Sequence, residues 1–208
     1  MGLSVTLIII IITAGVSFIA MNNRDIFVKL LYSPYQAFHR KEYYRLFTHA
    51  LLHSGWMHLF VNMYVLYIFG RVVESSFDYY NEGAGKFFYI LLYVGGIIFA
   101  TLPALRKHRD DTMYSSVGAS GAVAAILFAS IAIRPTMSIY FIFLPIPIPA
   151  FIFGVLYLLY EAYMDKKADD YVAHDAHYYG AIFGVLFTFV SLSGSFINFF
   201  TQILAYFK

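Results

Sequence analysis

Residues 117–133 read VGASGAVAAILFASIAI, a run without a charge that opens on a serine, Ser120, held between Gly118 and Gly121. Its many glycines and alanines are the composition that lets helix backbones approach closely in lipid, so the run reads as the central helix of a membrane bundle. The rest of the 208-residue chain agrees: it is 61% hydrophobic and 12% charged, with a mean hydropathy of +0.69, too little polar surface to coat a soluble globule. The chain reads as an all-α polytopic membrane protein.

A helical crossing needs about 20 mostly apolar residues. Working outward, the uncharged windows place crossings at 3–21, 56–73, 87–105, 117–133, 150–160 and 177–192, with an amphipathic tail at 196–207. All six belong to a single membrane domain, 1–208, with both termini on one side. The first run lacks a basic flank and is longer than a signal-peptide core, so it is read as a retained helix. Between the first two crossings lies a long, structured loop whose stretch 26–35 is apolar enough to lie in the interface. Arg71, Glu74, Asp78 and Glu82 separate the second crossing from the third. Pro145, Pro147 and Pro149 remove amide donors and confine helix to the residues after them. The sixth crossing breaks at Ser193, Gly194 and Ser195.

Composition also excludes functions. A net charge of +2 with scattered basic residues offers no face for nucleic acid, and zero cysteines rule out disulfides, thiol catalysis and thiolate metal sites. No cofactor is expected. A metallohydrolase built on His49, His53 and His58, or on His174 and His177, would lack an H-E-x-x-H pattern and acidic ligands at matching spacing, so no metal is expected either.

Strongly polar groups inside crossings cost free energy and are functional candidates by default. Four recur here: His58, Asn62, Ser120 and His177. His58 and Asn62 are four apart and share a helix face, and His177, Gly180 and Gly184 lie along one stripe. That glycine stripe suits close packing on the small-residue helix headed by Ser120, which would bring an imidazole to a hydroxyl, the minimum pair for nucleophilic acyl transfer. Each residue alone has an ordinary alternative: Ser120 bonded to the carbonyl one turn back, His58 and Asn62 as interhelical glue, His177 as a satisfied core histidine.

Taken together the residues resemble the rhomboid family of intramembrane serine proteases. The resemblance is carried by RLFTHALLHSGWMHLFVN at 45–62, in which His53, His58 and Asn62 match H-x4-H-x3-N. Gly118-Ala119-Ser120-Gly121 matches G-x-S-G, and Ala176-His177 with Gly180 and Gly184 matches A-H-x-x-G-x-x-x-G. It implies a six-helix bundle in which Ser120 is the nucleophile, His177 the base, and the Ser120 amide with His58 and Asn62 the oxyanion hole. It also implies structural support from His53, Arg45, Glu74, Gly118, Gly121, Gly180 and Gly184. No third acid is required, and Asp175, two residues from His177, points to another face. The chain departs from the family in having Ala124 where most members place an aromatic that stacks on the histidine, Tyr44 before Arg45 in place of a tryptophan, and Asp78 in place of a glycine.

The implied partners are single-pass transmembrane substrates and the bilayer, and the implied location is a bacterial inner membrane with the active site opening outward. The alternative is a rhomboid-like protein that binds membrane helices without cutting them. A cytoplasmic N-terminus leaves Arg71, Lys86, Arg134 and Lys208 inside and the other ten of the fourteen basic residues outside, against the positive-inside rule.

Overall fold

The computed structural model describes residues 4–141, 144–167 and 172–208. Residue 3 of the expected first crossing, and residues 168–171 of the polar stretch ahead of His177, lie outside them. The helices are α1 (Val5–Met21), α2 (Arg24–Leu30), α3 (Pro34–His39), α4 (Arg45–Thr48) with a 3-10 turn (His49–Leu51), α5 (Trp56–Tyr80), α6 (Gly85–Lys107) and α7 (Ser120–Ile133). A hairpin of β1 (Ser138–Phe141) and β2 (Leu144–Pro149) follows, then α8 (Ala150–Lys167), α9 (His174–Ser191) and α10 (Ser195–Tyr206).

Among the described residues α5 and α6 are long and apolar enough to cross a membrane. The pair α9 and α10 also qualifies but is bent by 109°, and α1 and α7 are shorter apolar helices. The protein is an integral membrane protein, mostly helical, whose outward faces on α1, α5, α6 and α8 carry large exposed apolar side chains such as Ile11, Phe60, Phe87 and Leu159.

α7 is the axis. Every residue from 121 to 132 is buried, and α5, α6, α8 and α9 pack around it. The contact with α9 is backbone on backbone: a Cβ at Gly180 would run into the carbonyl oxygen of Gly121, and one at Gly184 into that of Ala125. Beyond α9 the chain turns at Gly194, in the left-handed region at φ +78°, and α10 crosses back so that Gln202 Nε2 donates to Ile133 O at the end of α7 (3.1 Å).

The structure differs from the sequence reading at four places. α5 does not stop at 73 but carries Arg71, Glu74 and Asp78 within it to Tyr80. Glu74 is tolerated there because it is buried at the N-terminus of α1. It accepts hydrogen bonds from Ser4 Oγ (2.6 Å), Val5 N (2.6 Å), Thr6 Oγ1 (2.7 Å) and Thr6 N (3.2 Å), so one helix caps another. The chain is not wholly helical: the proline-rich run forms β2, paired with β1 from Ser138 opposite Pro149 to Phe141 opposite Leu144. Prolines are compatible with an edge strand, which need not donate from every residue. α8 runs past 160 to Lys167, and α9 begins at His174 instead of 177. α7 begins at Ser120, leaving Val117, Gly118 and Ala119 outside the helix.

The first loop is ordered by its own hydrogen bonds. Buried Arg45 donates from Nη1 to Val28 O (2.9 Å) and Leu31 O (2.8 Å) and from Nε to Glu42 Oε2 (2.6 Å), tying α2 to α4. Its guanidinium lies 5.4 Å from the Tyr44 ring centroid.

Candidate functional site

The stretch ahead of α7 is held from two sides. Tyr32 and Ser116 exchange backbone hydrogen bonds, each 3.0 Å, and Gly118 N donates to His49 O (3.0 Å). Gly118 then takes φ +129°, a conformation open to glycine alone among common residues, and the chain enters α7 at Ser120. No side chain among the described residues caps this helix start, and the positive end of a helix favours negative charge.

Ser120, His58, Asn62 and His177 line a single cavity of about 840 Å³. α5, α7, α8 and the start of α9 form its walls, with Met57, Val61, Val123, Phe153 and Tyr157 as the apolar lining. His58 faces Gly118 directly. Its Nδ1 accepts from Ser54, whose hydroxyl lies 3.0 Å away and whose amide lies 3.5 Å away, which leaves the proton on Nε2 as a donor toward the cavity. Asn62 Nδ2 uses one proton on His58 O (2.9 Å) and keeps a second.

Behind His58 stands His53, fully buried, with ring centroids 4.9 Å apart and planes at 71°. His53 Nδ1 donates to Ser17 Oγ (2.9 Å), whose own proton goes to Leu51 O (2.7 Å). Burial pushes the His53 imidazole down to about 3, and His49, also buried, down to about 4. A second cavity of about 30 Å³, enough for a water, lies behind Ser120 between His49, Thr101 and Asp175.

His177 does not hydrogen-bond Ser120 Oγ directly among the described residues. Its Nδ1 instead lies 3.1 Å from Oε1 of Glu161 on α8, and the other carboxylate oxygen takes His174 Nδ1 at 2.6 Å. Asp175 accepts the Ala176 amide (2.8 Å), away from His177 as expected, and it is Glu161 whose carboxylate reaches His177, an acid the sequence reading did not count. Glu161 is hidden in the sequence because the apolar run ends at 160 and the residues after it read as a loop. A helical pattern continued one turn further would have found it. Ser17 and Ser54, which hold the two histidines of α5 and its approach, carried no signal of spacing.

Ala124 is buried on the cavity wall, and the ring paired with His177 among the described residues is His174, with centroids 6.2 Å apart and planes at 78°. Glu161, His174 and His177 also offer three ligand atoms within 4.8 Å of one another, so a cation could be held there as well as protons.

Two comparisons place the chain among known proteins. The rhomboid domain family matches residues 40–194. RHOMBOID-like protein 12, mitochondrial, from Arabidopsis thaliana is 28% identical over 151 residues, covering 65% of this chain, and the chain spans 43% of that relative's length. With the family match running from the first loop through α9 and taking in all four cavity residues, the chain belongs to the rhomboid family.

Proposed function

We propose that this protein is an intramembrane serine endopeptidase that cuts single-pass membrane proteins in or near their transmembrane segment. The observation that carries the reading is that Ser120, His58, Asn62 and His177, drawn from three helices, line one cavity. Ser120 Oγ attacks the scissile carbonyl while His177 Nε2 takes its proton, forming a tetrahedral oxyanion. The Ser120 amide, His58 Nε2–H and Asn62 Nδ2–H are the donors for that oxyanion. His177 then returns the proton to the leaving amine, and water hydrolyses the acyl-enzyme with His177 again as base. Hydroxyl and imidazole need to close up only when substrate is bound, as catalytic hydrogen bonds commonly do.

In this reading α1, α5, α6, α7, α8 and α9 are the six crossings, α2 to α4 lie along the interface, and the site opens on the extracytoplasmic side of a bacterial inner membrane. The mitochondrial location in the plant relative's name belongs to that relative. With no native cysteine to interfere, single cysteines placed at Arg40 and Lys208 would report orientation by their reaction with an impermeant maleimide. Labelling of Lys208→Cys from outside would reverse the assignment.

The test of the activity is cleavage of a single-pass reporter helix in detergent or vesicles, with labelling of Ser120 by a fluorophosphonate. Ser120→Ala should abolish both, and His177→Ala should abolish labelling. Unchanged cleavage by Ser120→Ala removes the peptidase.

A second reading, a rhomboid-like protein that binds membrane helices without cutting them, is favoured by the absence of a direct Ser120–His177 hydrogen bond. It predicts reporter binding without cleavage or labelling. A metallohydrolase using Glu161, His174 and His177 predicts instead that a chelator abolishes hydrolysis.

A further inference from the structure

We propose that Glu161 is the positioning residue for His177, so that the machinery is a Ser120–His177–Glu161 relay with His174 steadying the carboxylate; this rests on the peptidase reading above. Glu161 and His177 sit on different helices and meet through Nδ1 and Oε1 at 3.1 Å, with the carboxylate almost wholly buried. An ionised carboxylate only accepts, so the bond fixes the proton of a neutral His177 on Nδ1 and leaves the Nε2 lone pair free. Nε2 is the atom that must accept the Ser120 proton. Once it has, the adjacent negative charge stabilises the imidazolium.

The carboxylate is itself held. His174, three residues before His177 and on the same face of α9, occupies Oε2 at 2.6 Å, so rotation about the last side-chain bond would break a second hydrogen bond. α8 and α9 pack against each other, which fixes the distance between the acid and both imidazoles. Ala124, on the cavity wall, offers His177 no ring to lie on, and the carboxylate supplies the orientation that packing there does not.

The obvious competing role is a staple between α8 and α9 with no part in the chemistry. Glu161→Gln separates the two in a reporter-cleavage assay, run across pH with a thermal melt as the folding check. Positioning predicts that kcat falls by roughly 10- to 10³-fold with KM within about twofold. It also predicts that the acid limb of kcat/KM moves to lower pH by about one unit or more, since the imidazolium has lost its counter-charge. A folded variant with an unchanged rate, or with a loss that leaves the limb where it was, overturns the proposal.

A second measurement needs no variant: side-chain ¹⁵N NMR of wild-type protein in detergent at neutral pH. His177 protonated on Nδ1 supports the proposal, and His177 protonated on Nε2 overturns it. Loss of wild-type activity on chelation with EDTA would assign the cluster to a metal and overturn it too. Equal cleavage by wild type and Ser120→Ala would sink the peptidase reading itself, an outcome separate from the tautomer result.

Discussion

No side chain fits between Gly118 and His58: a Cβ on Gly118 would lie 2.9 Å from Cε1 and 3.0 Å from Nε2 of the imidazole, and 3.7 Å from Ser120 Oγ. The glycine therefore does two things at once. It adopts φ +129°, and it leaves empty the point toward which the His58 donor is directed. Gly118→Ala should displace His58 and strain the backbone, lowering kcat/KM by about 10²-fold or more, comparable to losing an oxyanion donor. Near wild-type activity in Gly118→Ala would mean that His58 does not donate from this position.

Asn62→Ala removes a donor while leaving Ser54, His58 and Ser120 in place. The peptidase reading predicts a drop of about 10²-fold in kcat with little change in KM, because in it Asn62 bonds the oxyanion only in the transition state. Adding His58→Ala should cost less than the product of the two single effects, as donors to one oxygen act as a unit. A change confined to KM would move Asn62 from the oxyanion to substrate binding.

Gly180→Ala tests the α7–α9 contact. The added Cβ meets backbone at Gly121 and nothing flexible can yield, so the helices must separate. Destabilisation of about 1–3 kcal/mol is expected, read as a lower melting temperature in detergent, with activity falling further because His177 rides on α9. Gly15→Ala, in α1 with nothing within 4 Å of the added Cβ, is the control: activity should be unchanged and stability unchanged or raised by up to about 1 kcal/mol, the helix preference for Ala over Gly.

Glu74→Ala removes the acceptor that serves two amides and two hydroxyls at the start of α1. Loss of about 1–3 kcal/mol of stability is expected, with kcat/KM of the folded fraction unchanged, since Glu74 lies outside the cavity. A kcat effect larger than the stability loss would give Glu74 a role that its position does not suggest.

Stability should also depend on pH in a defined direction. An unfolded imidazole takes its proton near 6.5, whereas burial holds His49 down to about 4 and His53 to about 3. Between those limits the unfolded chain binds more protons than the folded one. Stability is therefore full above about pH 6.5 and falls as the pH drops toward 4. Melting in detergent at pH 7.5, 6 and 5 checks this; a melting temperature that rises on acidification would contradict the burial of these two rings.

Much of the site could be read from spacing because membrane helices punish polar groups: His58, Asn62, Ser120 and His177 stood out from apolar surroundings, and the intervals of four and seven placed them on faces. What escaped was set by tertiary partners. The resemblance named Glu74 as structural support, but spacing could not show its partners, the amides and hydroxyls at the N-terminus of α1. Glu161 reads as the first residue of a loop in the sequence, and only the fold brings two histidines of α9 to its carboxylate. The hairpin of β1 and β2 was hidden because prolines argue against helix without arguing for a strand.

Under the peptidase reading, the length of α7 sets a ruler for substrates. Fourteen residues at 1.5 Å each rise only about 21 Å, while the hydrocarbon layer is about 30 Å thick. If α7 crosses upright with Arg134 at one interface, the Ser120 hydroxyl lies roughly 9 Å beneath the other. A client helix must therefore deliver its susceptible bond about two turns inside its own greasy stretch, so sliding a polar boundary along the client by a few residues should move the cut site with it.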